Sequence, residues 1–204
     1  MTLRLCDGET RRQEDGKTPD TVVHPLETHD FPINVLLSEE QIALRVRELA
    51  LRISGDYAGK DLVIIGVLRG AFVFLADLIK HISIPIVVDF TRISSYGDAT
   101  ISSGVVKVFD RPRENVMGRH VLLVEDIVDT GLTLTKSGVI DDLLEAGAES
   151  VEICALLNKP SRRLVSVSLK YVGFDIPDKF VIGYGLDYQG MFRNLPYVGY
   201  REDV

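Results

Sequence analysis

The sequence predicts an α/β domain: a mostly parallel sheet flanked by helices. Three observations carry this reading. Segments of strand length are apolar throughout rather than alternating, as in "LVIIGVL" (62–68) and "HVLLVED" (120–126), and such strands belong to a sheet covered on both faces. Segments with helical spacing stand between them, so strands and helices alternate along the chain. With 204 residues, 46% of them hydrophobic, the chain can bury one sizeable core, and one domain is the expectation.

The elements follow in order. Residues 1–32 are rich in Thr, Asp, Glu and Arg and lack apolar periodicity. Within 1–30, four basic and seven acidic residues leave a net −3, and the segment reads as a mobile N-terminal extension. Residues 33–204 then form the folded domain. Ser38 caps a helix, with Gln41 at capping-box spacing. Ile42, Val46, Leu49, Ala50 and Ile53 repeat at helical period up to Gly55. "LVIIGVL" is a buried strand, "RGAFVFLADLIKHI" (69–82) a helix, and "IPIVVDFTRI" (84–93) a second strand. "SSYGDATISS" (94–103) is small, polar and glycine-bearing, so it forms a loop, and "GVVKVF" (104–109) is the returning strand. After "HVLLVED" comes a helix with Leu134, Ile140, Leu143 and Leu144 on one face and Gly147 at its C-terminal cap. "SVEICALLNK" (150–159), "YVGFDI" (171–176) and "KFVIGYG" (179–185) are further strands.

Composition excludes several classes. The net charge of −7 and pI of about 5.1 argue against a nucleic-acid binder, which is usually basic. No run approaches the roughly 18 apolar residues of a membrane span, and "MTLRLCDGET" lacks the apolar core of a signal peptide. The expectation is a soluble cytoplasmic protein. Cys6 and Cys154 form no disulfide framework and have no zinc-like spacing. His81 and His120 lie at element edges and read as structural or surface residues. There is no P-loop and no GxGxxG after the first strand, which argues against an ATPase and a dinucleotide-binding oxidoreductase.

Chemistry concentrates in "VLLVEDIVDTGLTL" (121–134). Thr130, Gly131 and Thr133 stand where a strand turns into a helix. Gly131 permits a tight path, the threonines offer hydroxyls, and the first helical turn has unpaired N–H groups, so the loop suits a phosphate. Glu125 and Asp126 would repel that phosphate. They make sense if they face sugar hydroxyls or a magnesium ion.

This stretch resembles the phosphoribosyl-pyrophosphate (PRPP) signature of the type I phosphoribosyltransferases. Its Glu-Asp pair resembles the branch acting on 6-oxopurines. "GVLRGAFVFLADL" (66–78) is similar to the family's pyrophosphate loop and "FTRISSYGDATISSG" (90–104) to its mobile lid. "LLNKP" (156–160) resembles the segment that carries the base-reading lysine, and "VGFDIPDKFVIGYGLDYQGMFRNLPYVG" (172–199) the C-terminal hood. The likeness covers roughly residues 33–202, in order. It implies the type I phosphoribosyltransferase fold, with a small hood formed mainly by 160–204. It also implies transfer of phosphoribose from PRPP to hypoxanthine, and to guanine as well, with Mg2+ as cofactor and a homodimer or homotetramer as assembly.

The resemblance also implies residue roles. Asp129 would be the general acid/base, taking a proton from the imidazole side of the purine. The loop from Asp129 through Thr130, Gly131, Leu132 and Thr133 would hold the 5′-phosphate. Glu125 and Asp126 would meet the ribose hydroxyls or the metal, and Asp187 a second metal. Leu68, Arg69, Gly70 and Arg193 would bind pyrophosphate, and the Leu68–Arg69 peptide can be cis in such proteins. Lys159 would donate to the 6-oxo group. Phe180 and Ile127 would sandwich the purine, with Val181 reading it through its main chain and Asp187 beside it. Ser95 and Tyr96 would close over PRPP. Preference among hypoxanthine, guanine and xanthine depends on contacts near the purine 2-position, some of them through main chain.

Overall fold

The computed structural model describes residues 33–96, 105–110 and 112–202. The N-terminal extension expected over 1–32 lies outside the described residues, as does the centre of the expected lid. Side chains of 94–96 are outside them too.

Ser38 starts the first helix as its sequence predicts. Its hydroxyl accepts from the Gln41 N–H at 3.3 Å, and the Gln41 side chain accepts from the Ser38 N–H at 2.9 Å. The helix α1 (Glu39–Asp56) buries Ile42, Val46, Leu49, Ala50 and Ile53, the five positions read from the periodicity. Strand β2 (Leu62–Leu68) is buried from Leu62 to Val67, and α2 (Phe72–His81) follows it. Then come β3 (Ile86–Tyr96), β4 (Val105–Asp110) and β5 (His120–Val128). Strand β6 spans Ser150–Asn158 and β7 spans Tyr171–Asp175.

These six strands form one sheet in the order β4-β3-β2-β5-β6-β7. All neighbours are parallel except β3 and β4, which pair antiparallel as a hairpin. The apolar runs are explained by two cores. Leu62 and Ile64 of β2 and Leu122 and Val124 of β5 join α1 and α2 on one face. Val63, Ile65, Val121 and Leu123 pack on the opposite face. Alternate residues go to opposite faces, and both faces are dry, so every residue of the run must be apolar.

Two expectations are corrected. The helix after β5 is two short helices, α3 (Leu132–Lys136) and α4 (Val139–Glu145), because Gly138 interrupts them with a φ of +71°. That break turns the second piece, so Leu134 and Leu143 are buried while Leu144 is 47% exposed. Gly147, with a φ of +90°, does follow the helix end, and its N–H donates to the Leu144 carbonyl at 3.0 Å. The strand expected over 179–185 is only β8 (Val181–Ile182). It joins β1 (Asn34–Leu37) and β9 (Val198–Tyr200) in a small antiparallel sheet ordered β1-β9-β8. This small sheet takes one strand from the start of the domain and two from its C-terminal part. His120 is structural, its Nδ1 lying 2.8 Å from the Ser150 hydroxyl.

Ser38→Ala removes the capping-box acceptor. It should lower the unfolding free energy by about 1 kcal/mol, read from urea denaturation with an unchanged m-value.

Candidate active site

Strand β2 pairs with β3 along its whole length, to Leu68 and Arg92. With β5 it pairs only as far as Gly66 and Val124. Beyond that point the two strands part. The helices that follow them also leave toward opposite faces. Helix α2 sends Phe74, Leu75 and Leu78 into one core, while α3 and α4 send Leu134, Val139 and Leu143 into the other. This is a topological switch point at the carboxyl ends of parallel strands, where open α/β sheets bind ligands. A cavity of about 340 Å³ opens there. Leu68, Arg69 and Gly70 line it from the β2 side and Glu125, Asp126 and Thr133 from the β5 side. Asp187 and Arg193 come in from the C-terminal segment. Eight residues singled out in the sequence thus line one cavity.

The β2 side is a tight turn. The Leu68–Arg69 peptide is cis, and Arg69 is exposed at the rim. A Cβ at Gly70 would lie 1.5 Å from Asp126 Oδ2, so the carboxylate occupies the space a side chain would need. Across the cavity, Arg193 Nη2 pairs with Asp187 Oδ1 at 2.5 Å and Arg193 Nη1 donates to the Gly185 carbonyl at 2.6 Å. The Gly190 N–H holds the other Asp187 oxygen at 2.7 Å. Ion pair and cavity wall are the same residues.

The acids of β5 are held in an uncomfortable place. Glu125 is 6% exposed, and its Oε2 has no hydrogen-bond partner. Burial holds its carboxyl well above the usual range, and the neighbouring Asp126 adds to this. Burial also pushes Asp126 up to about 6, against the Ile127 N–H that donates to its Oδ1 at 2.8 Å and the Arg193 charge. An orphaned buried carboxylate oxygen beside an anion-sized cavity asks for a cation or a hydroxyl donor. Among the described residues, no three His, Cys, Asp or Glu side chains group as metal ligands. Glu125, Asp126 and Asp187 therefore do not form one cage of protein ligands. That suits magnesium, which keeps waters and binds through one or two carboxylates plus substrate phosphates.

The loop after β5 is held from below. Gly131 has a φ of +83°, and α3 starts at the next residue. The Leu132 N–H donates to Thr130 Oγ1 at 3.3 Å. The carbonyls of Val128, Asp129 and Thr130 turn toward residues 159–165. Val128 O accepts from the Lys159 N–H at 3.0 Å and from Arg163 Nη2 at 3.2 Å. Asp129 O accepts from Arg163 Nε at 3.0 Å, and Thr130 O from the N–H groups of Leu164 and Val165 at 3.0 and 3.1 Å. A Cβ at Gly131 would come within 2.7 Å of the Val165 carbonyl. Sequence reasoning missed Arg162 and Arg163, since an arginine pair after a strand reads as solvated surface.

The remaining candidates surround this loop. Asp129 Oδ1 lies 3.4 Å from Arg162 Nε, and Arg162 Nη1 lies 3.6 Å from Asp178 Oδ2. Lys159 is not a surface lysine: it is 6% exposed, and its Nζ donates to the Lys179 carbonyl at 2.6 Å. Burial lowers its pKa, opposed by Asp129 and Asp178. Phe180 belongs to neither core. It is half-exposed and meets Tyr188 edge-on at 5.8 Å. Ile127 packs partly against the first core and Val181 is buried on β8. Ser95 and Tyr96 end β3.

Residues 33–189 match the family model of the phosphoribosyl transferase domain. The hypoxanthine-guanine phosphoribosyltransferase of Bacillus subtilis is 46% identical over 84% of this chain and 93% of its own length. A crystal structure of the hypoxanthine phosphoribosyltransferase of Staphylococcus aureus superposes with a TM-score of 0.77 at 43% identity, covering 83% of this chain and 91% of that one. A Trypanosoma cruzi hypoxanthine phosphoribosyltransferase gives a TM-score of 0.77 at 39% identity, covering 85% and 93%. Its structure concerns the role of its C-terminal region in oligomeric state and activity. With a family model over most of its length, and a relative this similar over nearly all of that relative's length, the chain belongs to the phosphoribosyltransferase family, in the branch of the hypoxanthine-guanine phosphoribosyltransferases.

Proposed function

We propose that the protein transfers phosphoribose from PRPP to hypoxanthine and guanine, giving the nucleoside monophosphate and pyrophosphate. The observation that carries this reading is the polar crevice between β2 and β5. It has the turn of Leu68, Arg69 and Gly70 on one side, and Glu125, Asp126 and Thr133 on the other. A purine nitrogen attacks the anomeric carbon, the bond to pyrophosphate breaks, and the leaving group departs with the electron pair. The ring proton must go to a base, and Asp129 takes it. Leu68, Arg69 and Gly70 hold pyrophosphate through backbone groups, with Arg193 supplying a fork of donors. Thr130 to Thr133 hold the 5′-phosphate. Glu125 and Asp126 face the ribose hydroxyls.

Glu125 and Asp126 would hold one Mg2+ and Asp187 a second, each ion completing its shell with waters and substrate oxygens. When bound, the ions spread the charge of the leaving pyrophosphate. Lys159 donates to the 6-oxo group, and a buried donor held by the Lys179 carbonyl supports that role. Phe180, half-exposed and outside both cores, stacks on the ring with Ile127 opposite. Val181 and Asp187 complete the purine end, and Ser95 and Tyr96 close over PRPP. The protein acts in the cytoplasm as a homodimer or homotetramer.

Turnover with PRPP, magnesium and each of hypoxanthine, guanine, xanthine and adenine tests the substrate. The 6-oxopurines should exceed adenine in kcat/KM by on the order of 10⁴, because an amino group presents donors to the Lys159 donor. Adenine as best substrate would overturn the Lys159 role. Asp129→Asn should lower kcat by on the order of 10²–10⁴-fold with nucleotide binding kept, and full activity would remove Asp129 from the mechanism. Gly70→Ala forces Asp126 to move and should cost on the order of 10²-fold in kcat/KM; an unchanged value would show that the turn tolerates displacement.

A further inference from the structure

We propose that Arg163 is a positioning residue for the phosphate end of PRPP. It acts through the backbone of the loop after β5 and touches no ligand itself. A trans peptide points its N–H opposite to its C=O, and among the described residues only the Leu68–Arg69 peptide is cis. Arg163 binds the carbonyls of both Val128 and Asp129. The N–H groups of Asp129 and Thr130 are therefore turned away from it. The Leu164 and Val165 N–H groups hold the Thr130 carbonyl in the same direction, which turns the Gly131 N–H with the others. Three successive amides pointing one way form an anion-binding concavity.

The guanidinium is itself held in place. Its Nη2 also donates to Asn158 Oδ1, and Asn158 Nδ2 donates to Asp175 Oδ1 at 2.6 Å. The three acceptors of Arg163 are neutral oxygens, so its positive charge adds to the field under the loop. A fixed fork of donors spans two successive carbonyls, which a lysine ammonium does not do. Arg163 is half-buried beneath the loop and is absent from the cavity wall. This inference rests on the assignment of 130–133 to the 5′-phosphate.

The test compares R163A, R163K and T133V by KM for PRPP, KM for hypoxanthine, kcat and thermal melting. R163A should raise KM for PRPP on the order of tenfold or more, the loss expected for charge-assisted hydrogen bonds. Its KM for hypoxanthine should move far less. Guanidinium ion at millimolar concentration should restore part of the PRPP affinity of R163A and leave T133V unchanged. An unchanged KM for PRPP in R163A would overturn the proposal. So would a parallel rise in both KM values with no rescue, which is the signature of a merely structural role. If R163A does not fold, R163K decides: a PRPP-selective rise of about threefold or more supports the clamp, and wild-type values overturn it. If T133V and R163A both leave PRPP binding intact, the phosphate assignment fails. If only T133V impairs it, the Arg163 clamp alone fails.

Discussion

The parting of β2 from β5 beyond the Gly66–Val124 pair is the constraint on which the site depends. Up to that pair the two strands are hydrogen-bonded, and Leu62–Gly66 and Val121–Val124 are apolar and buried. After it the backbones separate, and each strand end must satisfy its polar groups in another way. The β2 end turns through Leu68, Arg69 and Gly70, and the β5 end continues alongside β6, with Glu125 opposite Ala155 and Ile127 opposite Leu157. One strand is thus supported on one side only, and its free side faces the crevice. The hood contributes Asp187 and Arg193 to the same space.

Electrostatics inside the crevice follow from this burial. Glu125 and Asp126 are adjacent in sequence, so their side chains diverge: Glu125 is buried, and Asp126 is half-buried at the cavity wall. The sign of the cost is clear for Asp126. Its folded value of about 6 exceeds the roughly 3.9 of a free aspartate. The folded state therefore holds the proton more tightly. The stability this contributes is fully present below about pH 4 and is lost as the pH rises through about 6. Above that pH the Asp126 charge is offset by the Ile127 N–H and by Arg193, and a cation or hydroxyl donors relieve it further. Stability is spent where the ligand repays it.

Much of this was legible in the residues because it depends on local spacing. The capping box of Ser38 and Gln41, the helical stripe from Ile42 to Ile53 and the dry strands at 62–68 and 120–126 are patterns within one element. The loop around Gly131 was legible for the same reason, since strand, glycine and hydroxyls follow one another directly. The break at Gly138 was not, because a glycine inside an apolar repeat reads equally as a tolerated helical residue. The β1 strand was missed because four residues at the start of the domain gain strand structure only by pairing with β9, more than 160 positions later.

By itself the sequence determined the sheet class, the order of its elements and the cluster of acids and hydroxyls at 125–133. These follow from periodicity and from residue chemistry over short distances. Tertiary structure alone decided which neighbours each group meets. It placed Gly70 against Asp126, buried Lys159 while leaving Phe180 half-open, and brought Arg163 under the loop, 34 residues from the carbonyl it binds. Such contacts have no local signal, because a carbonyl carries no side-chain identity and an arginine after a strand looks the same whether it faces solvent or backbone.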